Sequence, residues 1–177
     1  MVTLTSILSS ALCFVLAVIV GSLLEYWIHR AFHFRRSHPL KKLFPKLGEG
    51  HARHHVGGEA QGFLWEFRNY ALGTSPVTII PMFLLPFEAG ISWAIGLVGY
   101  AAFAAYAHQL QHDTPIKCGW MKMPVHYVHH KYNQWYVNYG IGVDWWDRLF
   151  GTYKASEWIE SQEMSQTDAT MLAIKWY

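Results

Sequence analysis

Cysteine is nearly missing from this chain, with two in 177 residues. Cys13 sits inside an apolar run and Cys118 lies beyond the apolar runs altogether, so no disulfide framework staples the fold and no thiolate set holds a metal. Charge is missing over a long stretch: residues 4–24 carry none. At 1.5 Å per residue that run crosses a hydrocarbon core of about 30 Å. No basic segment precedes it, which argues against a cleaved leader, and its helical pattern continues into Glu25, Tyr26 and Trp27. Low-complexity tracts, long linkers and hydrolytic nucleophile motifs are also lacking, and the formal net charge is only +2. These absences leave one apolar domain without a signature for nucleic acid or covalent hydrolysis.

What is present is hydrophobicity, 52% of residues, and aromatic side chains, 16%. Two further apolar stretches span 71–87 and 91–107. Pro76, Pro81 and Pro86 predict a kinked or partly irregular course for the first, and Glu88, Ala89 and Gly90 between the two permit a tight hairpin. The chain therefore reads as an all-α integral membrane protein. It has a single domain over 1–177, about three hydrophobic segments (4–24, 71–87, 91–107) and a peripheral polar tail over 156–177. All fourteen Lys and Arg residues fall outside those segments, eight from Arg30 to Arg68 and six from Lys117 onward. The positive-inside rule then predicts that this face and the C-terminus are cytoplasmic. Arg35, Arg36, Lys41, Lys42 and Lys46 form a collar suited to anionic lipid headgroups. Most of the nine tryptophans lie on the same side, as an interfacial belt, with Trp145 and Trp146 alternatively lining a substrate entrance.

Ten of the eleven histidines fall into four boxes, His29/His33, His51/His54/His55, His108/His112 and His126/His129/His130. Residues three and four apart share a helix face, so each box aims its imidazoles one way. Neutral imidazoles buried side by side cannot all satisfy one another, and a cation resolves the conflict. His38 stands alone and is expected to be no ligand. Ten ligands over two metals give five each and leave a sixth octahedral position on each ion. Imidazole suits Fe, Zn, Cu and Ni. Open positions, a membrane setting and the missing nucleophile motif favour oxygen chemistry at iron over metal-assisted hydrolysis.

The ordered boxes HRAFH, HARHH, HQLQH and HYVHH, followed by Asn138-Tyr139-Gly140 and by WDRLFGTY from Trp146 to Tyr153, resemble the fatty acid hydroxylase and sterol desaturase superfamily. Carotene hydroxylases are more distant. The resemblance implies a cytoplasmic, histidine-rich helical cap holding two Fe ions, with Zn replacing them in purified protein. It implies O₂ and two electrons used to hydroxylate or desaturate a lipid that is fatty acyl, sterol-like or carotenoid. The ligands it implies are His29, His33, His51, His54, His55, His108, His112, His126, His129 and His130, with no catalytic residue beyond them. No HPGG-type haem-binding stretch is present, so electrons are expected from a separate carrier such as a ferredoxin or a cytochrome b5-type protein. Many members place two spans before the first box, whereas this sequence has room for one. Glu25, Asp113, Asn138, Asp144 and Asp147 are candidates to support the ligands from behind. An ion pair between Asp147 and Arg148 is an equal alternative, and for Asn138 a helix cap is preferred over orienting a metal-bound water. A non-catalytic membrane subunit of a larger complex, keeping a structural di-metal site, is the alternative function.

Overall fold

Thr3 starts the first helix. Its Oγ1 accepts from Ser6 N at 3.2 Å while Ser6 Oγ accepts from Thr3 N at 3.1 Å, which satisfies two backbone donors reciprocally. The computed structural model describes residues 3–58, 60–158 and 170–177. With no proline inside it, α1 (Leu4–Phe32) runs 29 residues, past the apolar stretch and through His29. Three short helices follow or lie further on: α2 (Pro39–Leu43), α3 (Glu49–Gly57) and, after the long pair, α6 (Val125–Lys131). The long pair is α4 (Phe63–Leu84) and α5 (Phe87–Asp113), and α7 (Trp145–Leu149) closes the list. The described residues contain no strand.

The second apolar stretch departs from expectation, because α4 is helical straight through Pro76 and Pro81. Each proline removes one donor and orphans a carbonyl four residues back. Here both carbonyls are recovered by side chains: Ser75 Oγ donates to Leu72 O and Trp93 Nε1 to Val77 O, each at 2.8 Å. The hairpin turn also lies earlier than expected. It is Leu85-Pro86, while Glu88, Ala89 and Gly90 form the first turn of α5. A Cβ on Gly90 would stand 2.4 Å from Met82 O, so only glycine lets the two helices meet so near the turn.

Helix α5 is central, packed between α1 and α4. Small residues set the approach: a Cβ on Gly96 would lie 2.8 Å from both Ala17 Cβ and Phe14 O, the close contact that lets two apolar helices gain dispersion energy. The outward faces keep their large apolar side chains exposed, among them Leu12, Val15, Leu72, Phe83 and Ile95. Such a surface is a liability in water and is satisfied in hydrocarbon. By length and composition α1 and α5 can cross a membrane. Helix α4, with Glu66, Arg68 and Asn69 in its first turns, falls short of that apolarity.

The end of the bundle that carries the histidines is closed by short elements. Gly48 (φ 80) sits so close to the end of α1 that a Cβ would meet Phe32 O at 2.7 Å, which docks α3 on the first box. Residues 170–177, within the stretch the sequence reads as a peripheral tail, are tied to the bundle at its surface. Ile174 is buried, Phe63 N and Leu64 N donate to Lys175 O and Trp176 O at 2.9 Å, and Lys175 N donates to Asp113 Oδ2 at 2.7 Å. The first orphan donors of α4 are thus capped by chain from the far end of the sequence. The middle of the predicted tail, 159–169, lies outside the described residues.

Candidate metal centre

The four boxes meet at this end of the bundle and divide into two clusters. His29, His33, His51, His55 and His129 form one, and His54, His112, His126 and His130 the other, with ligand atoms in each group within 4.8 Å of one another. His108 joins the second group through Nε2, 3.2 Å from His54 Nε2. The division follows helix periodicity with one twist. The pairs on α1 and α5 each serve a single cluster. In the triple on α3, His51 and His55 are four apart and serve the first cluster, while His54 turns to the second. On α6 the roles reverse: His126 and His130 serve the second and His129 the first. The two clusters therefore share two helices, and His55 stacks on His130 with ring centroids 4.0 Å apart.

Whether a metal fits can be read from the nitrogens. His29 Nδ1 lies 2.6 Å from Tyr139 O, His129 Nδ1 2.8 Å from Val137 O, and His112 Nδ1 3.2 Å from Gly58 O. A carbonyl only accepts, so these Nδ1 atoms carry the proton and each Nε2 presents a bare lone pair. Those lone pairs point at other imidazoles: His129 Nε2 is 3.1 Å from His33 Nε2 and 3.2 Å from His55 Nε2, and His29 Nε2 is 3.0 Å from His51 Nε2. Both ring nitrogens of His130 are buried without a hydrogen-bond partner. Protons do not relieve the crowding. Burial first, then the neighbouring imidazoles, lower His33 to about 2 and His55 to about 3, and burial lowers His129 to about 4. A cation at the centre of each cluster would satisfy converging lone pairs that no donor among the described residues does.

The supports behind the ligands are mostly backbone. The loop after α6 presents the Val137 and Tyr139 carbonyls to the first cluster, and it is pinned from three sides. Asp147, fully buried, accepts from Tyr139 N at 2.8 Å, Gly140 N at 2.6 Å and Thr152 Oγ1 at 2.7 Å. Burial raises its carboxyl above the usual range even against those three donors. Glu25 accepts from Ile141 N and Tyr100 Oη, both at 2.7 Å. Asn138, with φ 60, bridges Lys154 through Nδ2 to O at 2.9 Å and N to Oδ1 at 2.8 Å. A Cβ on Gly140 would fall 2.1 Å from Val143 O, so the glycine of the NYG motif is required by the tightness of the turn.

Of the five residues read from sequence as supports, these three act on the loop that carries the acceptor carbonyls. Asp113 holds Gln109 Nε2 at 2.8 Å together with Lys175 N. Asp144 pairs with Arg148 at 2.7 Å, so the arginine's carboxylate partner is Asp144 one turn earlier and not its neighbour Asp147. Asn138 caps no helix. His38 lies apart from both clusters, its Nδ1 accepting from Leu40 N at 3.2 Å at the start of α2.

Sequence reasoning missed three residues. Gln111, inside the third box and fully buried, accepts from His126 N at 2.9 Å and donates to Ile141 O at 2.7 Å, tying α6 to the loop. Gln109 accepts from Gly62 N at 2.9 Å. Glu66 places Oε1 3.4 Å from His108 Nδ1. The glutamines could have been noticed as polar residues in a helix otherwise apolar, but Glu66 has no local signal. Replacing it with Gln removes the charge that favours a proton on His108 Nδ1, and should weaken metal binding at the second cluster by roughly 10- to 100-fold. Competitive metal titration against a chromogenic chelator measures this, and the first cluster should be unaffected.

Beside the clusters, between α1, α4 and α5, a cavity of about 420 Å³ has His29, His54 and His108 in its wall at one end and Gly21, Gly73 and Leu97 at the other. A model of the family described as Fatty acid hydroxylase matches residues 14–152. The chain is 28% identical over 152 residues to the fatty acid 2-hydroxylase of Rattus norvegicus, an alignment covering 78% of this chain and 38% of that protein. It is 28% identical over 145 residues to the Delta(7)-sterol 5(6)-desaturase of Leptosphaeria maculans, covering 73% and 33% respectively. The alignments thus span between 33% and 38% of these relatives' own length. No solved structure matches the chain.

Proposed function

The chain belongs to the fatty acid hydroxylase family, and on that footing we propose that it is a membrane-bound di-iron oxygenase that hydroxylates or desaturates a lipid, using O₂ and two electrons from a separate carrier. The observation that carries this reading is the juxtaposition of two imidazole clusters with a largely apolar cavity between the long helices. Hydroxylation would take R–H, O₂, two electrons and two protons to R–OH and one water; desaturation would take the same inputs and a CH–CH pair to an alkene and two waters.

Iron, when bound, would supply the activation of O₂ and the oxidising power toward an unactivated C–H bond. The protein's own residues do the rest. The ten histidines offer neutral nitrogen donors, five to a centre when His108 is counted with the second, and an ion that takes six ligands would keep room there for an external one. Carbonyls at Val137, Tyr139 and Gly58 hold three of the rings in a single tautomer and orientation. The cavity would bring a lipid from the bilayer to the clusters, and a lipid filling it would displace water from beside a reactive centre. Zinc would compete for the same donors, because Zn²⁺ binds imidazole sites more tightly than Fe²⁺.

Purified protein loaded anaerobically with Fe²⁺ should carry two metal equivalents and, given a reductant, O₂ and total membrane lipid, should yield oxygenated or newly unsaturated lipid by mass spectrometry. Two bound metals without any turnover would instead favour the non-catalytic subunit. The orientation has its own check. If the cluster end is cytoplasmic, cysteines placed at Lys46 and Lys131 should react with an impermeant maleimide only after the cell membrane is opened, and labelling of intact cells would reverse the topology.

A further inference from the structure

The cavity beside the clusters is layered by the periodicity of its walls. On α1 the lining residues His29, Glu25 and Gly21 are four apart, and on α4 Glu66, Tyr70 and Gly73 are four and then three apart, so each set keeps to one helix face. A four-residue step is about 6 Å along a helix. The top layer holds the metal-facing histidines and Glu66. The bottom layer is Gly21, Gly73 and Leu97, and no atom lies within 4 Å of a Cβ built on Gly73, so this part is open and apolar. The middle layer brings Glu25 and Tyr100 from one side to face Tyr70 on the other.

Within that middle layer the polar groups are unequal. Glu25 and Tyr100 bond to each other, and Glu25 also holds the loop at Ile141 and Gly142. The Tyr70 hydroxyl, at the wall of the cavity, feels Glu25 and Glu66 only through space and has no hydrogen-bond partner among the described residues. A hydrocarbon chain filling the cavity would strip water from that hydroxyl and return nothing, whereas a ligand oxygen at this level would replace the lost bond. We infer that Tyr70 hydrogen-bonds an oxygen of the lipid, and that the substrate is an oxygenated lipid whose hydroxyl or carbonyl lies about one helical turn from the oxidised carbon, not a plain chain entering by its methyl end. This rests on reading the clusters as an oxygenase centre. It adds that oxidation falls within a few bonds of an existing polar group, and that Tyr70 selects for that group.

Binding separates the two ideas. Detergent-solubilised, metal-loaded protein is titrated with radiolabelled hexadecanol and hexadecane, with metal content measured on the same samples. The wild type should prefer hexadecanol by about tenfold, the worth of one hydrogen bond in a desolvated site. Tyr70→Phe should erase the preference while keeping hexadecane binding and both metals. Gly73→Phe should weaken both probes by filling the lower cavity. A wild type that does not discriminate, a Tyr70→Phe variant that still does, or a Gly73→Phe variant that binds both normally would overturn the inference. None of those outcomes touches O₂-dependent turnover of membrane lipid, whose absence would instead remove the oxygenase reading.

Discussion

Replacing His55 or His130 with alanine is expected to abolish lipid oxidation, at least a hundredfold below the wild type by the scale of losses seen even for residues that only support metal ligands. The two rings stack on one another at the seam between the clusters, and each belongs to a helix that serves both centres. His55 pairs with His51 on one face of α3, its Nε2 3.0 Å from that of His51. Removing either ring therefore strips a donor from one cluster and unseats the helix that delivers a donor to the other. Metal analysis should show loss beyond a single site's partial occupancy. His38→Ala is the contrast. Its Nδ1 caps the five-residue helix α2, so its removal costs about 1 kcal/mol of local stability and should leave metal content and turnover intact. Equal damage from His38→Ala, or full oxidation in the other two variants, would mean that the boxes are not the active site.

Asp147→Ala should be the most damaging change outside the ligands. The side chain is fully buried and accepts three hydrogen bonds. Its loss leaves Tyr139 N, Gly140 N and the Thr152 hydroxyl without their acceptor, and unsatisfied buried donors cost about 1–3 kcal/mol apiece. A net loss of about 3–5 kcal/mol in a thermal or chaotrope unfolding measurement is expected. The consequence is not confined to stability. Tyr139 also supplies the carbonyl that holds His29 Nδ1, so metal content should fall with the fold still present at low temperature. Asp144→Ala is the matched control, since its partner Arg148 is 46% exposed and a surface ion pair contributes about 0–1 kcal/mol. Comparable losses from the two aspartates would refute the loop-pinning role.

Much of this was legible along the chain because it is local. Box spacing three and four apart already placed the histidines on shared helix faces, and an uncharged run of 21 residues already implied a long apolar helix. The family resemblance carried by the boxes and WDRLFGTY agrees with the match over residues 14–152. The course of α4 was misread for a definable reason. Pro76 and Pro81 predict a break from local rules, and the donors that rescue the helix are Ser75, one residue away, and Trp93, on the next helix. Only the second needed the tertiary fold, but without it Val77 O would stay unpaired in an apolar setting.

By itself, then, the sequence determined the helices, the apolar character and the ten imidazoles, all of which follow from periodicity within a few residues. The tertiary structure alone decided how those imidazoles divide. His54 and His55 are neighbours on one helix yet belong to different clusters, and His129 crosses from its own box to the first cluster. It also decided what stands behind them. The acceptors for His29 and His129 are the Tyr139 and Val137 carbonyls, and every residue has a carbonyl, so nothing in the side-chain order marks these two. The acidic residues nearest the boxes were natural candidates for that task, but charge next to a ligand in sequence says nothing of distance to its ring in space. Glu66 reaches His108 from a separate helix, because antiparallel packing of α4 on α5 brings the start of one beside the end of the other.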